Sequence, residues 1–127
     1  VREVAAAVHD PGWPGTGNWS FNVAHAGSVP GLGAVVARLG GVCDLERWID
    51  AGMPVAVSVS YAQLKGASRP SRGDGHLVVV RGFTASGDVL VNDPGVRRSR
   101  VQREVPRADF IRAWTHSRRT AYLVWPE

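Results

Sequence analysis

The 127-residue sequence contains only one cysteine, Cys43, and one lysine, Lys65, and it has no long run of apolar residues. A single cysteine excludes an internal disulfide framework and a cysteine-rich zinc ribbon. No apolar segment approaches the roughly 18–20 residues that a membrane-spanning helix needs, so we expect no membrane partner. Hydrophobic residues make up 44% and charged residues 20% of the chain. Both fractions are typical of one globular domain, which excludes general disorder.

The charge of the chain is skewed toward arginine. Lysine and arginine number 15 against 11 aspartate and glutamate residues, which gives a net charge of +4. A nucleic-acid-binding module could use such an excess, and its binding would weaken steeply with salt. The arginines that could serve it are spread over several predicted elements and form no recognisable motif: Arg97, Arg98, Arg100, Arg103, Arg107 and Arg112. We therefore interpret them as a solvated face and expect no nucleic-acid partner.

The spacing of apolar residues, glycines and prolines predicts an α+β fold and not a regular alternation of strands and helices. The strongest strand pattern is GHLVVVRGF at 75–83, which is followed by a hairpin turn at 85–88 and a return strand at 89–93. A long polar loop at 61–74 precedes that strand. The other predicted elements are helices at the N-terminus, at 20–27, at 45–52 and after Pro106, a loop at 9–19, and strands at 32–39, 54–60, 101–105 and 120–125.

Two of the predicted helices carry clear signals for a cap or for a buried face. Asp44 is the predicted N-cap of the helix at 45–52, because a short acidic side chain can accept a hydrogen bond from the first-turn N–H groups. The last helix is predicted to bury Phe110, Ile111 and Trp114, which share one face. These signals predict where each helix begins and which side of it joins the core.

Among the four histidines, His76 is the one with a predicted acidic partner. It begins the strand at 75–83, and Asp93 ends the antiparallel return strand, so a hairpin brings the two to the same side of the sheet. A histidine oriented by an aspartate is the base of a nucleophilic triad. A tight turn would set Asp93 opposite Val80, so contact with His76 requires the strand to bend at Asp93. The alternative is an edge histidine beside an ordinary turn aspartate in NDPG.

Several segments of the chain resemble papain-like cysteine peptidases. The histidine and aspartate segments of that group are similar to GHLVVVRGF and VLVNDP here, most closely those of cysteine peptidase family 39, which includes the bacteriocin-processing peptidases. Stand-alone actinobacterial members of the family are similar to GTGNWSFNVAHAG, LERWIDAGMPVAVSVS and DFIRAW. The resemblance covers nearly the whole chain. It implies a papain-like α+β domain with an antiparallel sheet and flanking helices, in which His76 is the general base and Asp93 orients it.

The sequence departs from this family at the nucleophile. Family members carry a cysteine in a CGP- or CSP-like motif at the start of a long helix, with an upstream glutamine in the oxyanion hole, and neither motif occurs here. The chain opens at Val1 without an initiator methionine. We therefore expect residues 1–127 to be the C-terminal portion of a single papain-like domain, with the nucleophile helix upstream of them.

Cys43 is the alternative nucleophile, because it precedes the histidine and the aspartate in the family's order and lies near a predicted helix N-terminus. The neighbouring Asp44 opposes a thiolate electrostatically at that position. The resemblance also places Cys43 in a linker where family members need no cysteine. We therefore interpret it as a small, half-buried structural residue.

The resemblance implies a thiol-dependent peptidase that acts on a peptide or protein substrate and needs no metal or organic cofactor. Because the chain carries the histidine and the aspartate but not the nucleophile, we expect these 127 residues to be inactive on their own. The alternative is a non-catalytic papain-like domain that binds peptide or cell-wall material, and an upstream cysteine motif in the full-length protein would distinguish the two. The resemblance also suggests secretion, since many stand-alone members are exported.

Overall fold

The computed structural model describes residues 1–12 and 15–127, which contain six strands and five α-helices that do not alternate regularly along the chain. The predicted α+β class is therefore confirmed. Residues 13 and 14 of the loop predicted at 9–19 lie outside the described residues. In chain order the elements are α1 (Arg2–Ala7), α2 (Trp19–Gly27), β1 (Leu32–Arg38), α3 (Val42–Asp50), β2 (Val55–Ser60), α4 (Tyr61–Leu64), β3 (Gly75–Phe83), β4 (Val89–Asn92), a 3-10 helix (Arg98–Arg100), β5 (Gln102–Val105), α5 (Arg107–Thr115) and β6 (Thr120–Pro126).

The chain divides into two compact units. The smaller unit consists of residues 1–37 and 122–127, and the larger unit consists of residues 38–121. In the larger unit the strands are ordered β2-β3-β4-β5, and each is antiparallel to the next. His76 and Asp93 both belong to the larger unit. Within the described residues, no helix combines the length and apolar character that a bilayer crossing requires. The expectation of a single domain stays a prediction.

Valines form the buried face of the sheet in the larger unit. Alternate residues of a strand point to the same side, and branched side chains pack well on a pleated surface, so the valine alternation of these strands builds a core. Each fully buried valine contributes about 1.5–3 kcal/mol relative to an exposed one. The members with 1% exposure or less are Val55, Val57 and Val59 of β2, Val78 and Val80 of β3, Val89 and Val91 of β4, and Val105 of β5.

Helix α5 supplies the aromatic part of the same core. Phe110, Ala113 and Trp114 are buried, and the Trp114 Nε1–H donates a hydrogen bond of 2.9 Å to the backbone oxygen of Thr120. That bond satisfies the one polar group of a large buried ring. The prediction that Ile111 is buried is wrong, because its side chain is 41% exposed. Spacings of three and four residues from Phe110 reach Ala113 and Trp114, whereas Ile111 lies on the next strip of the helix surface.

Helix α3 begins two residues earlier than its predicted cap. Its N-cap is Gly41, which makes no side-chain cap, and Asp44 lies within the first turn. The Asp44 carboxylate accepts a hydrogen bond of 2.8 Å from the Gly40 N–H, so it reaches back past the helix start. The prediction of Asp44 as N-cap is therefore wrong. Cys43 consequently lies in the first turn of α3 and not in a linker, and it is exposed and not half-buried.

The register of the β3–β4 hairpin differs from the register that a simple tight turn would give. The residues between the strands, 84–88, move the pairing by one position, and a β-bulge at Arg81 moves it by one more. Continuing the observed register one residue beyond β4 places Asp93 opposite Val78, and not opposite Val80 as predicted. The shift brings Asp93 two residues closer to His76 along β3.

Candidate active site

The structure brings His76 and Asp93 into direct contact. The His76 Nε2 atom lies 2.7 Å from the Asp93 Oδ1 atom, within ordinary hydrogen-bond distance. The strand β4 ends at Asn92 and a turn follows at 94–95, which is the bend that the contact requires. The predicted contact is confirmed, and a catalytic role for the two residues stays a prediction.

The Asp93 carboxylate is fully buried, and both of its oxygens have partners. Its Oδ1 accepts a second hydrogen bond of 2.8 Å from the Gly95 N–H, which closes an Asx turn over Pro94. Its Oδ2 pairs with the Arg103 Nη1 on β5. The Asp93 side chain has 0% exposure and the His76 side chain 20%. The carboxylate is therefore held from three sides in a position where water does not compete for it.

These contacts decide the ionisation of Asp93. Burial raises the pKa of the Asp93 carboxyl, but hydrogen bonds from His76, the Gly95 N–H and Arg103 outweigh burial and leave the pKa below its ordinary value. Asp93 is therefore an anion at neutral pH. A carboxylate accepts hydrogen bonds and donates none, so the imidazole must present its Nε2–H to Asp93.

The orientation of the ring leaves one nitrogen available for chemistry. Because Nε2 faces Asp93, a neutral His76 carries its lone pair on Nδ1, which can take a proton from another group. The Tyr61 ring packs against the His76 ring, with 4.6 Å between centroids and an interplanar angle of 51°. The carboxylate and the aromatic contact together fix both the tautomer and the tilt of the imidazole.

Asp74 holds the segment that carries Tyr61. Its Oδ2 atom accepts three hydrogen bonds, from the Ser60 hydroxyl at 2.7 Å, the Ala62 N–H at 3.1 Å and the Ser71 N–H at 3.0 Å. Burial raises the pKa of the Asp74 carboxyl, but these three bonds and the nearby His116 lower it overall. The start of α4 is thereby tied to the residue two positions before His76. The segment at 61–74, predicted as a loop, therefore begins with a short anchored helix.

Sequence reasoning missed three residues that surround the pair: Tyr61, Gly95 and Arg103. Arg103 had been placed among the solvated arginines, but its side chain is only 25% exposed and is paired with a buried carboxylate. One signal could have found it, since strand alternation puts Arg103 on the same face as the buried Val105. Nothing in the local sequence indicates the Tyr61 contact, because it depends on α4 folding back beside β3.

Gly95 leaves the space that the His76 ring occupies. A Cβ atom added at Gly95 would lie 2.8 Å from the His76 Cε1, closer than real Cβ contacts, and 3.2 Å from the Asp93 Oδ1, which is a tight contact. We expect Gly95→Ala to displace the imidazole and to expose the Nε2–H to solvent. NMR of the ring N–H should show proton exchange at least tenfold faster, since a broken buried hydrogen bond of about 1.4 kcal/mol corresponds to that factor.

Gly75→Ala is the matched control for this substitution, because Gly75 is a glycine that directly precedes His76 on β3. A Cβ atom there would meet no atom of the described residues within 4 Å. Unchanged exchange of the ring proton in Gly95→Ala, or equal acceleration in both variants, would contradict a spacing role for Gly95.

The structure does not bring Cys43 to this pair. In the part of the chain that the structure describes, the Cys43 thiol makes no hydrogen bond to the His76 ring, whose Nε2 is bonded to Asp93. Across the same described residues, no group of three or more histidine, cysteine, aspartate or glutamate side chains is arranged to hold a metal ion. What the described residues bring together at this site is an imidazole oriented by a carboxylate.

Comparisons with known proteins point to one family. A family model for the Peptidase C39-like family matches residues 1–122. Among solved structures, a C39-like peptidase from Bacillus anthracis is similar at a TM-score of 0.60 and 20% sequence identity, which is a likeness of fold. The similarity covers 74% of this chain and 52% of that protein, so the chain spans about half of its length. No curated protein matches the sequence.

Proposed function

Because the chain belongs to the Peptidase C39-like family, we propose that the protein is a cysteine peptidase in which His76 is the general base and Asp93 orients its ring. The observation that carries this proposal is the 2.7 Å contact between the His76 Nε2 and a buried, ionised Asp93. It leaves Nδ1 as the only ring nitrogen that can serve a nucleophile. A base oriented by a third group is the arrangement that activates a thiol.

The proposed mechanism is acyl transfer in two steps. The Nδ1 atom of His76 takes the thiol proton, and the thiolate attacks the carbonyl carbon of the scissile peptide. The imidazolium then gives its proton to the leaving amine as the C–N bond breaks and a thioester remains. In the second step His76 removes a proton from water, whose oxygen attacks the thioester carbonyl carbon. The C–S bond then breaks, the carboxylic acid is released, and the imidazolium returns its proton to the thiolate. Asp93 stays ionised throughout and stabilises the imidazolium.

The nucleophile in this proposal is a thiol outside the 127 residues. Cys43 is the only cysteine of the sequence, it is exposed, and it lies in the first turn of α3. The similar Bacillus anthracis protein has about as much chain again as the part that matches. The 127 residues alone are therefore expected to bind but not to hydrolyse peptides.

Thiol alkylation of the full-length protein tests the proposal. We expect hydrolysis of a mixed peptide library, followed by mass spectrometry, to fall at least 100-fold after treatment with an alkylating reagent, because the alkylated sulfur cannot attack a carbonyl. Cys43→Ser is the matched control, and it should leave both the rate and the sensitivity to alkylation unchanged.

Three results would contradict the proposal or a part of it. Hydrolysis that survives alkylation would require a nucleophile other than a thiol. Alkylation-sensitive hydrolysis that disappears in Cys43→Ser would make Cys43 the nucleophile and would overturn its assignment as a bystander. Peptide binding without any hydrolysis would instead support the non-catalytic binding domain.

A further inference from the structure

A cavity of about 470 Å³ adjoins the His76–Asp93 pair. Two of the residues that line it touch the pair directly. Tyr61 packs against the His76 ring, and Arg103 is bonded to the Asp93 carboxylate. A peptide positioned for attack beside His76 therefore passes close to this cavity.

The lining of the cavity is positively charged. It contains Lys65, Arg100 and Arg103, and no aspartate or glutamate contributes to it. The charge of Arg103 is balanced by Asp93. Neither Lys65 nor Arg100 forms an ion pair with any carboxylate of the described residues. Within the described residues, these two cations therefore line the cavity without an ion-pair partner.

The position of Lys65 is set by an aromatic ring. Its Nζ lies 4.1 Å from the centroid of the Tyr61 ring, which is a cation–π distance. The same tyrosine packs on the His76 ring, so the lysine ammonium and the imidazole contact one aromatic ring. Ser99 and Gln102 add neutral hydrogen-bond donors to the lining.

We propose that this cavity binds a carboxylate of the peptide substrate, and that the protein selects peptides with a glutamate or aspartate near the scissile bond. The inference rests on the proposed peptidase function, because it places the cavity beside the reacting peptide. Two unpaired cations with added hydrogen-bond donors complement a carboxylate in charge and in hydrogen bonding. A free C-terminus carries the same chemical group, and the experiment separates the two sources.

Direct binding measures this preference without requiring turnover. The full-length protein is treated with a thiol alkylator and titrated with fluorescent decapeptides in which each position in turn is glutamate or glutamine. All of them carry a C-terminal amide, and the parent peptide is also made with a free C-terminus. We expect glutamate at one position to bind about fivefold more tightly than glutamine, which is the effect of two solvent-exposed ion pairs. The preference should weaken as salt is raised.

Variants of the lining locate the preference. In Lys65→Gln/Arg100→Gln the ratio of the two dissociation constants should fall from about fivefold to below about twofold. Arg98→Gln is the matched control, because Arg98 belongs to the same 3-10 helix as Arg100 and does not line the cavity. It should keep the full preference. A preference for the free C-terminus alone would support the same carboxylate site with the chain end as its ligand.

Equal affinities for all glutamate and glutamine peptides, without a preference for a free C-terminus, would overturn the inference. A preference that survives in the double variant would also overturn it. An equal loss of preference in Arg98→Gln would overturn it too, because it would indicate a diffuse positive field and not a site. Charge-dependent binding by a protein that hydrolyses no peptide would support the carboxylate site and contradict the proposed peptidase function. Hydrolysis without charge preference would support the peptidase function and contradict the carboxylate site.

Discussion

Replacing His76 with alanine is expected to lower kcat/KM for peptide hydrolysis by the full-length protein about 10³-fold. General acid–base catalysis by a positioned side chain contributes roughly 10²–10⁴-fold, and here one ring both activates the thiol and protonates the leaving amine. Because His76 is 20% exposed and lies at the start of β3, its removal should leave the core intact. Kinetics and the circular dichroism of the variant measure the two effects separately.

His116→Ala is the control for this loss. His116 also lies near an aspartate, with 4.0 Å between its Nε2 and the Asp74 Oδ1, but it is outside the His76–Asp93 pair. We expect less than a twofold change in kcat/KM, which is a difference of about 0.4 kcal/mol. Retention of more than a tenth of the activity in His76→Ala would remove His76 from the proposed mechanism.

Asp93→Ala is expected to damage both stability and activity. It leaves the partly buried Arg103 without its counter-charge, so we expect the free energy of unfolding to fall by about 3 kcal/mol. The His76 ring also loses its orienting acceptor, and hydrolysis should fall at least about 100-fold. Urea denaturation and peptide kinetics measure the two losses.

The pH dependence of stability should identify Asp93 in the same experiment. The pKa of Asp93 is lowered by folding, so its contribution is complete above the unfolded-state pKa of about 3.9 and is lost as the pH falls through the lower folded-state pKa. Wild type should therefore lose more stability between about pH 5 and pH 2 than Asp93→Ala does. Parallel profiles for the two proteins would contradict the assignment.

A second substitution separates the structural role of Asp93 from its orienting role. In Asp93→Ala/Arg103→Met the buried charge is gone, so about half of the lost stability should return, since an uncompensated charge costs more than an apolar side chain at the same place. Hydrolysis should stay at the level of Asp93→Ala, because His76 still lacks its acceptor. Recovery of activity together with stability would show that Asp93 acts only through the fold.

Local patterns were sufficient to predict the strand at 75–83 with its boundaries and to place His76 and Asp93 at the same end of one hairpin. Alternation and turn residues carry that information within about 20 residues of chain. The starts of the helices were harder to predict from local patterns. Helix α3 begins at Val42, although aspartate at position 44 is a more favourable N-cap residue than the glycine that precedes Val42. There the carboxylate is used by the Gly40 N–H, a choice that depends on the path of the preceding turn.

The partners of the site depended on contacts between segments distant in sequence. Arg103 comes from the next strand, and it stands out from the other arginines only because a buried carboxylate lies beside it. Tyr61 reaches the imidazole because Asp74 ties the start of α4 to the strand that carries His76. Strand alternation places Arg103 on the buried side of β5 but does not identify the carboxylate that it meets, and nothing in the local pattern indicates the Tyr61 contact.

The bulge at Arg81 fixes which parts of the hairpin can gain or lose residues without separating His76 from Asp93. Opposite residues of an antiparallel pair share a face, and faces alternate along each strand. The extra residue lets His76, two positions before Val78, share a face with Asp93. If Arg81 were instead paired in regular register with β4, Asp93 would lie opposite Val79 and on the reverse side of the sheet, a change of parity that no side-chain movement can repair. Length variation in this hairpin is therefore compatible with the pair in the turn at 84–88, and it is incompatible with the pair between the bulge and the strand ends that carry His76 and Asp93.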